Sequence, residues 1–114
     1  MKDTFELYNL DVTVIGDKTT FACDHTPGLA FQVNGEDLIF VKRFSMYTLA
    51  SLIPLLPAKQ RNTHANDWMT SDDIISCPDP NCGARFKISR TGRTTYRHGE
   101  VTRNPLNDAD KASS

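Results

Sequence analysis

The chain has 114 residues, of which 39% are hydrophobic and 24% are charged, and its formal net charge is −1. That length fits one small domain with a modest core, and the near-neutral charge provides no general attraction to nucleic acids or anionic membranes. No apolar run is long enough to cross a membrane, and residues 1–5 lack the apolar stretch of a secretory signal. We therefore expect a soluble, cytoplasmic protein.

Three strands are predicted in the first third of the chain. Apolar and polar residues alternate over residues 8–14, which is the pattern of a half-buried strand. Two further strands are predicted over residues 29–33 and 37–42. Asn34 and Gly35 lie between them and favour the positive φ angles of a tight turn, so these two strands should form a hairpin.

One helix is predicted after these strands. Ser45 is a suitable N-cap, the apolar residues of 46–53 recur at helical spacing, and Pro54 should end the helix. Residues 58–73 are polar and lack periodicity, so we expect an irregular loop. Trp68 within it either lines a binding site or is pinned to the core.

The last third of the chain predicts a short strand at residues 74–75 and then a hairpin. Its strands would cover residues 84–89 and 94–98, with the turn at residues 90–92. Residues 105–114 are small, polar and aperiodic, which predicts a disordered tail.

The most informative segment is residues 77–83, with the sequence Cys-Pro-Asp-Pro-Asn-Cys-Gly. Two thiols on a proline-containing loop, followed by glycine and a strand, are typical of a zinc knuckle. Earlier in the chain, Cys23 and His25 precede another proline, a glycine and a strand in the same way. Each segment would supply two ligands, so Cys23, His25, Cys77 and Cys82 together predict one tetrahedral Zn²⁺ site.

The same four residues are also compatible with roles other than a closed zinc site. Cys23 and His25 could be core or turn residues, and Cys77 with Cys82 could be a redox dithiol. If one ligand does not bind, the zinc ion keeps an open position and becomes a candidate catalytic centre. The acid–base groups would then come from a wider set: Asp24, Asp79, His64 and His98.

The predicted C-terminal hairpin is strongly basic. Arginine or lysine alternates with apolar residues at its start, which places the cations on the face away from the core. They form either a solvated sheet face, a site for a small anion or an acidic partner, or a phosphate-binding surface, although the overall charge disfavours nucleic acid. The candidate anion- or partner-binding residues are Arg85, Lys87, Arg93 and Arg97.

The Cys-Pro-Asp-Pro segment, together with the strand before Cys23 and the helix ending at Pro54, is similar to a family of short, uncharacterised bacterial proteins. The resemblance covers most of residues 8–90 and is zinc-ribbon-like. It implies a fold and a first cysteine that recurs with the Cys-Pro-Asp element, but it implies no activity.

These observations predict a single zinc-binding α+β domain over residues 1–104, made of β-hairpins and one helix. The favoured function is a non-catalytic accessory module for a protein partner, such as the small subunit of a metabolic enzyme complex. A zinc-dependent hydrolase or lyase with the 58–73 loop as a lid is an alternative, and a nucleic-acid-binding zinc ribbon is another. Unpaired sheet edges would also allow a homodimer.

Overall fold

The structure is a computed structural model that describes residues 3–101, and the predicted tail at 105–114 lies outside this range. A single five-stranded antiparallel sheet in the order β3-β2-β1-β5-β4 organises the described residues. Its strands are β1 Thr4–Ile15, β2 Gly28–Asn34, β3 Asp37–Phe40, β4 Ile74–Ser76 and β5 Arg85–Arg97. The predicted α+β class of a small domain is confirmed.

The central strand is β1, which pairs with β2 on one side and with β5 on the other. Leu10, Val12 and Val14 are completely or almost completely buried because every second residue of a strand faces the same side of the sheet. β1 starts four residues before the prediction. Its extra length pairs with the second half of β5, from Thr4 opposite Arg97 onwards.

The predicted hairpin between β2 and β3 is present. Asn34 pairs with Asp37, which leaves Gly35 and Glu36 as the two turn residues. Gly35 has a φ of 61° and is the turn residue with positive φ. Glycine at the first central position is what a type II′ turn needs, so the turn lies one residue later than Asn34-Gly35.

The predicted hairpin at the end of the chain is wrong. Residues 85–97 form one continuous strand, β5, and its register against β1 shifts opposite Asn9 and Leu10. The sequence 90–92 therefore makes a bulge rather than a turn, and Gly92 does not have a positive φ. The side chain of Arg90 crosses to the backbone carbonyl oxygens of Lys59 and Arg61, at 2.9 and 3.1 Å, and so packs against the helical part of the chain.

The helical part contains more than the single predicted helix. Ser45 caps α1, Met46–Leu52, as expected, but Pro57 then lies in the first turn of α2, Leu56–Gln60. A further short helix, α3, Trp68–Ser71, interrupts the predicted irregular loop, and α4, His98–Val101, follows β5. Trp68 is 59% exposed, so it is not pinned to the core.

The core lies on one face of the sheet. Phe31 of β2 and Phe86 of β5 are fully buried beside the apolar residues of β1, and Leu52 and Leu56 of the helices complete the same cluster. Within residues 3–101, no helix combines the length and the apolarity that crossing a membrane requires.

Candidate metal centre

The topology of the sheet brings the cysteine-containing loops together. β2 and β5 both run antiparallel to β1, so both begin where β1 ends. Val14 lies opposite Gly28, and Ile15 lies opposite Arg85. Cys23 precedes β2, while the loop that holds Cys77 and Cys82 joins β4 to β5. Two segments far apart in sequence therefore meet at one end of the central strand.

The three thiols form a compact cluster. The Sγ atoms of Cys23, Cys77 and Cys82 all lie within 4.8 Å of one another. The Sγ atoms of Cys23 and Cys77 are 3.6 Å apart, far longer than a disulfide bond of about 2.05 Å. A tetrahedral zinc site with Zn–S bonds of about 2.3 Å places its sulfur atoms about 3.8 Å apart. The spacing of the thiols thus fits a metal ion between them.

Backbone hydrogen bonds fix the loop from Cys77 to Cys82. The amide of Cys77 donates to Ala84 O at 3.2 Å, and the amide of Cys82 donates to Asp79 O at 3.0 Å. The amide of Ala22 donates to the Sγ atom of Cys82 at 3.3 Å, so one cysteine loop supports the sulfur of the other. Amide donors of this kind stabilise a thiolate and orient a metal ligand.

The surrounding protein stabilises the thiolate form of Cys82 but opposes the thiolate form of Cys23. Burial raises the pKa of the Cys23 thiol to about 12, with further increases from the neighbouring Cys77 and Cys82 groups. Burial also acts against the Cys82 thiolate, but the backbone amides of Ala84, Cys23 and Ala22 together lower the pKa of Cys82 to about 7. One thiolate is therefore well accommodated, whereas additional negative charge needs a cation to balance it.

The contact between Gly83 and Thr20 holds the two loops close together. Thr20 ends the 3-10 helix Lys18–Thr20, and its carbonyl oxygen accepts the Gly83 amide at 2.9 Å. A Cβ atom at position 83 would lie 2.1 Å from Oγ1 and 2.6 Å from Cβ of Thr20. Only glycine fits this approach, so the glycine after the second thiol serves the packing between the loops rather than a turn.

The structure brings together three of the four predicted ligands. His25 is 2% exposed, and its ring packs against Phe44 and Phe86 with centroid distances of 5.2 and 5.0 Å. Its Nε2 atom is 3.3 Å from Oγ1 of Thr48. Within residues 3–101, the group of ligand atoms that lie within 4.8 Å of one another contains no histidine or carboxylate. The His25 imidazole is thus a core group, and it does not join the three thiols.

The remaining acid–base candidates are spread over the fold. Asp79 accepts the Asn81 amide at 2.9 Å in the knuckle turn, and Asp24 is exposed next to Cys23. His64 accepts the Asn66 amide at 3.0 Å in the segment between α2 and α3. His98 contacts Phe5 at the opposite end of β5. They do not converge on the thiols.

The predicted basic residues fall into two groups. Arg85 and Lys87 are exposed on the face away from the core, as expected. Arg93 lies opposite Tyr8 beyond the bulge and pairs with Glu6 at 3.0 Å. Arg97 lies 3.8 Å from carboxylate oxygens of both Asp3 and Glu100. The four cations therefore do not form one patch, and only the first two lack a neighbouring acid among the ion pairs of residues 3–101.

Sequence reasoning missed two groups at the site. The Ala22 amide supports a sulfur atom, but a backbone donor leaves no signal in the sequence. Thr20 fits against Gly83, and because the two residues are far apart in the sequence, no local pattern pairs them. Comparisons of the chain with protein-family models, with curated proteins and with solved structures gave no match. The function is therefore inferred from the chemistry of the site.

Proposed function

We propose that this chain is a small zinc-binding accessory protein in which Cys23, Cys77 and Cys82 hold the ion. The observation that carries the proposal is the cluster of three free thiols within 4.8 Å, supplied by two loops that the sheet brings together. Free cysteines at this spacing, without a disulfide, are the arrangement that a thiolate metal site requires.

Zinc is the ion that best matches the donors. Thiolates are soft ligands that favour Zn²⁺, Cu⁺ and iron–sulfur clusters over Mg²⁺ or Ca²⁺. A single tetrahedral ion with Zn–S bonds of about 2.3 Å accounts for the separation of 3.6 Å between Cys23 and Cys77. A divalent cation also balances the additional thiolate charge that burial opposes at Cys23.

The role of the ion in this proposal is structural. Cys23 and Cys77 are separated by 54 positions, so the ion joins distant parts of the chain as a cross-link would. Structural zinc contributes roughly 10–16 kcal/mol in small zinc-finger peptides, which is comparable with the whole stability of a domain. Within residues 3–101 no carboxylate or imidazole joins the cluster, which favours this role over acid–base catalysis at the metal.

Binding to a protein partner is the second part of the proposal. Met46 and Tyr47 are 71% and 77% exposed on α1, and Val41, just after β3, is 57% exposed. Met46 and Tyr47 are consecutive residues of α1, and adjacent exposed apolar side chains mark a site of interaction more often than isolated ones do. Sedimentation analysis tests whether the partner is a second copy of the chain. If it is, the wild-type protein should associate more as its concentration rises, and Tyr47→Ser should associate less. Wild-type protein that stays monomeric at every concentration would point to a different protein as the partner.

The metal content of the purified protein tests the proposal directly. Protein prepared without chelators should contain one zinc ion per chain by elemental mass spectrometry. Separate Cys23→Ser, Cys77→Ser and Cys82→Ser variants should lose it, whereas Ser76→Ala, an exposed change next to Cys77, should retain it. Wild-type protein that contains no stoichiometric metal, and that melts at the same temperature with and without added zinc, would refute the proposal.

A further inference from the structure

We infer that the fourth coordination position of this metal centre is filled from outside the chain, by a thiolate of a small molecule or of a partner cysteine. This inference rests on the proposed function. The inference adds to that function the chemical class of the group that completes the metal site. Three protein thiolates leave a tetrahedral zinc ion with one open position.

Within residues 3–101, no histidine nitrogen joins the cluster of three sulfur atoms. The chain contains three cysteines and three histidines in total, and all six lie within the described residues. His98 follows Arg97, the last residue of β5, whereas the thiols lie near its first residue, Arg85. At about 3.3 Å per residue, these ends of the strand are about 40 Å apart. His64 is held in the segment after α2 by its bond to the Asn66 amide.

His25 is the nearest alternative, but its ring has another environment. It is 2% exposed, packs against Phe44 and Phe86, and faces Thr48 through Nε2. If His25 coordinated the metal, its imidazole would have to leave its contacts with the two phenylalanine rings, and the buried Thr48 hydroxyl would lose its contact with Nε2. The side chain is therefore better explained as a core residue than as a ligand.

An approach to the site exists on the side of Cys23. Cys77 and Cys82 are 7% and 5% exposed, whereas Cys23 is only partly buried. Ala22 and Asp24 on either side of it are exposed. A ligand from solution or from a docked protein can therefore reach the metal past Cys23 without opening the core.

The charges and the donor set favour a thiolate at this position. Lys18 Nζ donates to the carbonyl oxygen of His25 at 3.0 Å, and Lys42 Nζ donates to that of Thr26 at 2.7 Å. Both ammonium groups lie against the backbone two and three residues after Cys23, where a cation stabilises an anionic ligand; the loop of residues 16–27 also holds two acids, Asp17 and Asp24. A sulfur donor also matches the softness of the three existing ligands.

Cobalt(II) in place of zinc provides the test. The metal-free protein would be loaded with Co²⁺, and 2-mercaptoethanol would be titrated in anaerobically. We expect saturable binding, with the thiolate-to-cobalt absorption band growing by about one third as the thiolate count rises from three to four. His25→Asn should respond in the same way. Lys42→Gln should bind the thiol a few times more weakly, whereas Arg61→Gln, a charge-matched control elsewhere on the fold, should not.

X-ray absorption of the wild-type zinc protein gives a second measurement that needs no variant. It should show three sulfur ligands and one lighter atom without thiol, and four sulfur ligands with it. A cysteine-containing peptide that binds much more tightly than 2-mercaptoethanol would identify a partner protein as the source, and equal binding would identify a small thiol. Spectra that do not change with thiol, or that lose a nitrogen ligand in His25→Asn, would overturn the inference. A protein that binds neither cobalt nor zinc would instead refute the proposed function.

Discussion

Replacement of Gly83 by alanine tests whether the two cysteine loops must touch for the site to form. The added Cβ atom would lie 2.1 Å from Oγ1 of Thr20, where ordinary contacts begin at 3.4 Å. Because Thr20 is β-branched and its Cβ atom is also within 2.6 Å, a change of rotamer does not remove the clash. The loops that carry Cys82 and Cys23 must therefore move apart by roughly an ångström.

The expected cost follows from overpacking in a well-packed region, about 1–3 kcal/mol. For a domain of this size each kcal/mol lowers the melting temperature by about 4–8 °C, so we expect a decrease of at least about 4 °C. Gly92→Ala is the matched control, because its added Cβ atom has no neighbour within 4 Å and Gly92 does not have a positive φ. That variant should melt at or slightly above the wild-type temperature.

Thermal unfolding of both variants, with one equivalent of zinc and with a chelator, separates packing from metal binding. Gly83→Ala should be less stable in both conditions and should also gain less from zinc than the wild type does, because Cys82 is displaced. Gly92→Ala should show the full zinc-dependent gain. If Gly83→Ala matches Gly92→Ala in both conditions, the close approach of the loops is not required, and the reasoning is wrong.

Three further predictions concern reactivity, the core and the surface. In the metal-free protein, the rate of Cys82 alkylation, followed by mass spectrometry, should increase as the pH rises through about 7, where the pKa of Cys82 lies. Cys23, with a pKa of about 12, should react slowly, and equal rates for the two thiols would contradict this prediction. Phe86→Ala should destabilise the domain by about 3–5 kcal/mol in chemical denaturation, since Phe86 is fully buried, and a loss below about 1 kcal/mol would place it outside the core. Arg93→Gln should change the melting temperature only slightly, and the difference should shrink with added salt, because its ion pair with Glu6 is solvent-exposed; a large, salt-independent loss would point to another role.

Local patterns predicted much of the sheet. The alternation in residues 8–14 identified the central strand, and Gly35 identified the hairpin turn because few residues tolerate its positive φ. The capping serine at position 45 identified the start of α1. These features depend on neighbours within a few residues, and such neighbours can be read from the sequence.

The conformation of residues 90–92 depends on a distant strand. Arg-Thr-Gly resembles a turn, but the first residues of β1 pair with the chain beyond it, so the strand continues through a bulge. No local signal carries that pairing. Similarly, the second short helix begins soon after the predicted stop at Pro54 and contains Pro57, because proline is well tolerated in a first turn.

The candidate site was predicted in part for a comparable reason. The cysteines can be recognised by their type and spacing, and the structure brings all three together. The choice of a fourth ligand depends on which way the His25 ring faces, and this is decided by the aromatic side chains of Phe44 and Phe86 around it. Packing against residues so far apart in sequence is not encoded in the Cys-x-His spacing.

During synthesis the sheet can be completed only after Arg97 has been added, because Arg97 pairs with Thr4 at the start of the central strand. The strands β1, β2 and β3 can associate as soon as they leave the ribosome, but the central strand has an open edge until β5 follows. Cys77 is synthesised 54 positions after Cys23, and elongation proceeds at about 5–20 residues per second. Metal acquisition is consequently a late event in biogenesis, and the nascent chain exposes an unpaired edge and a single free thiol for several seconds before it.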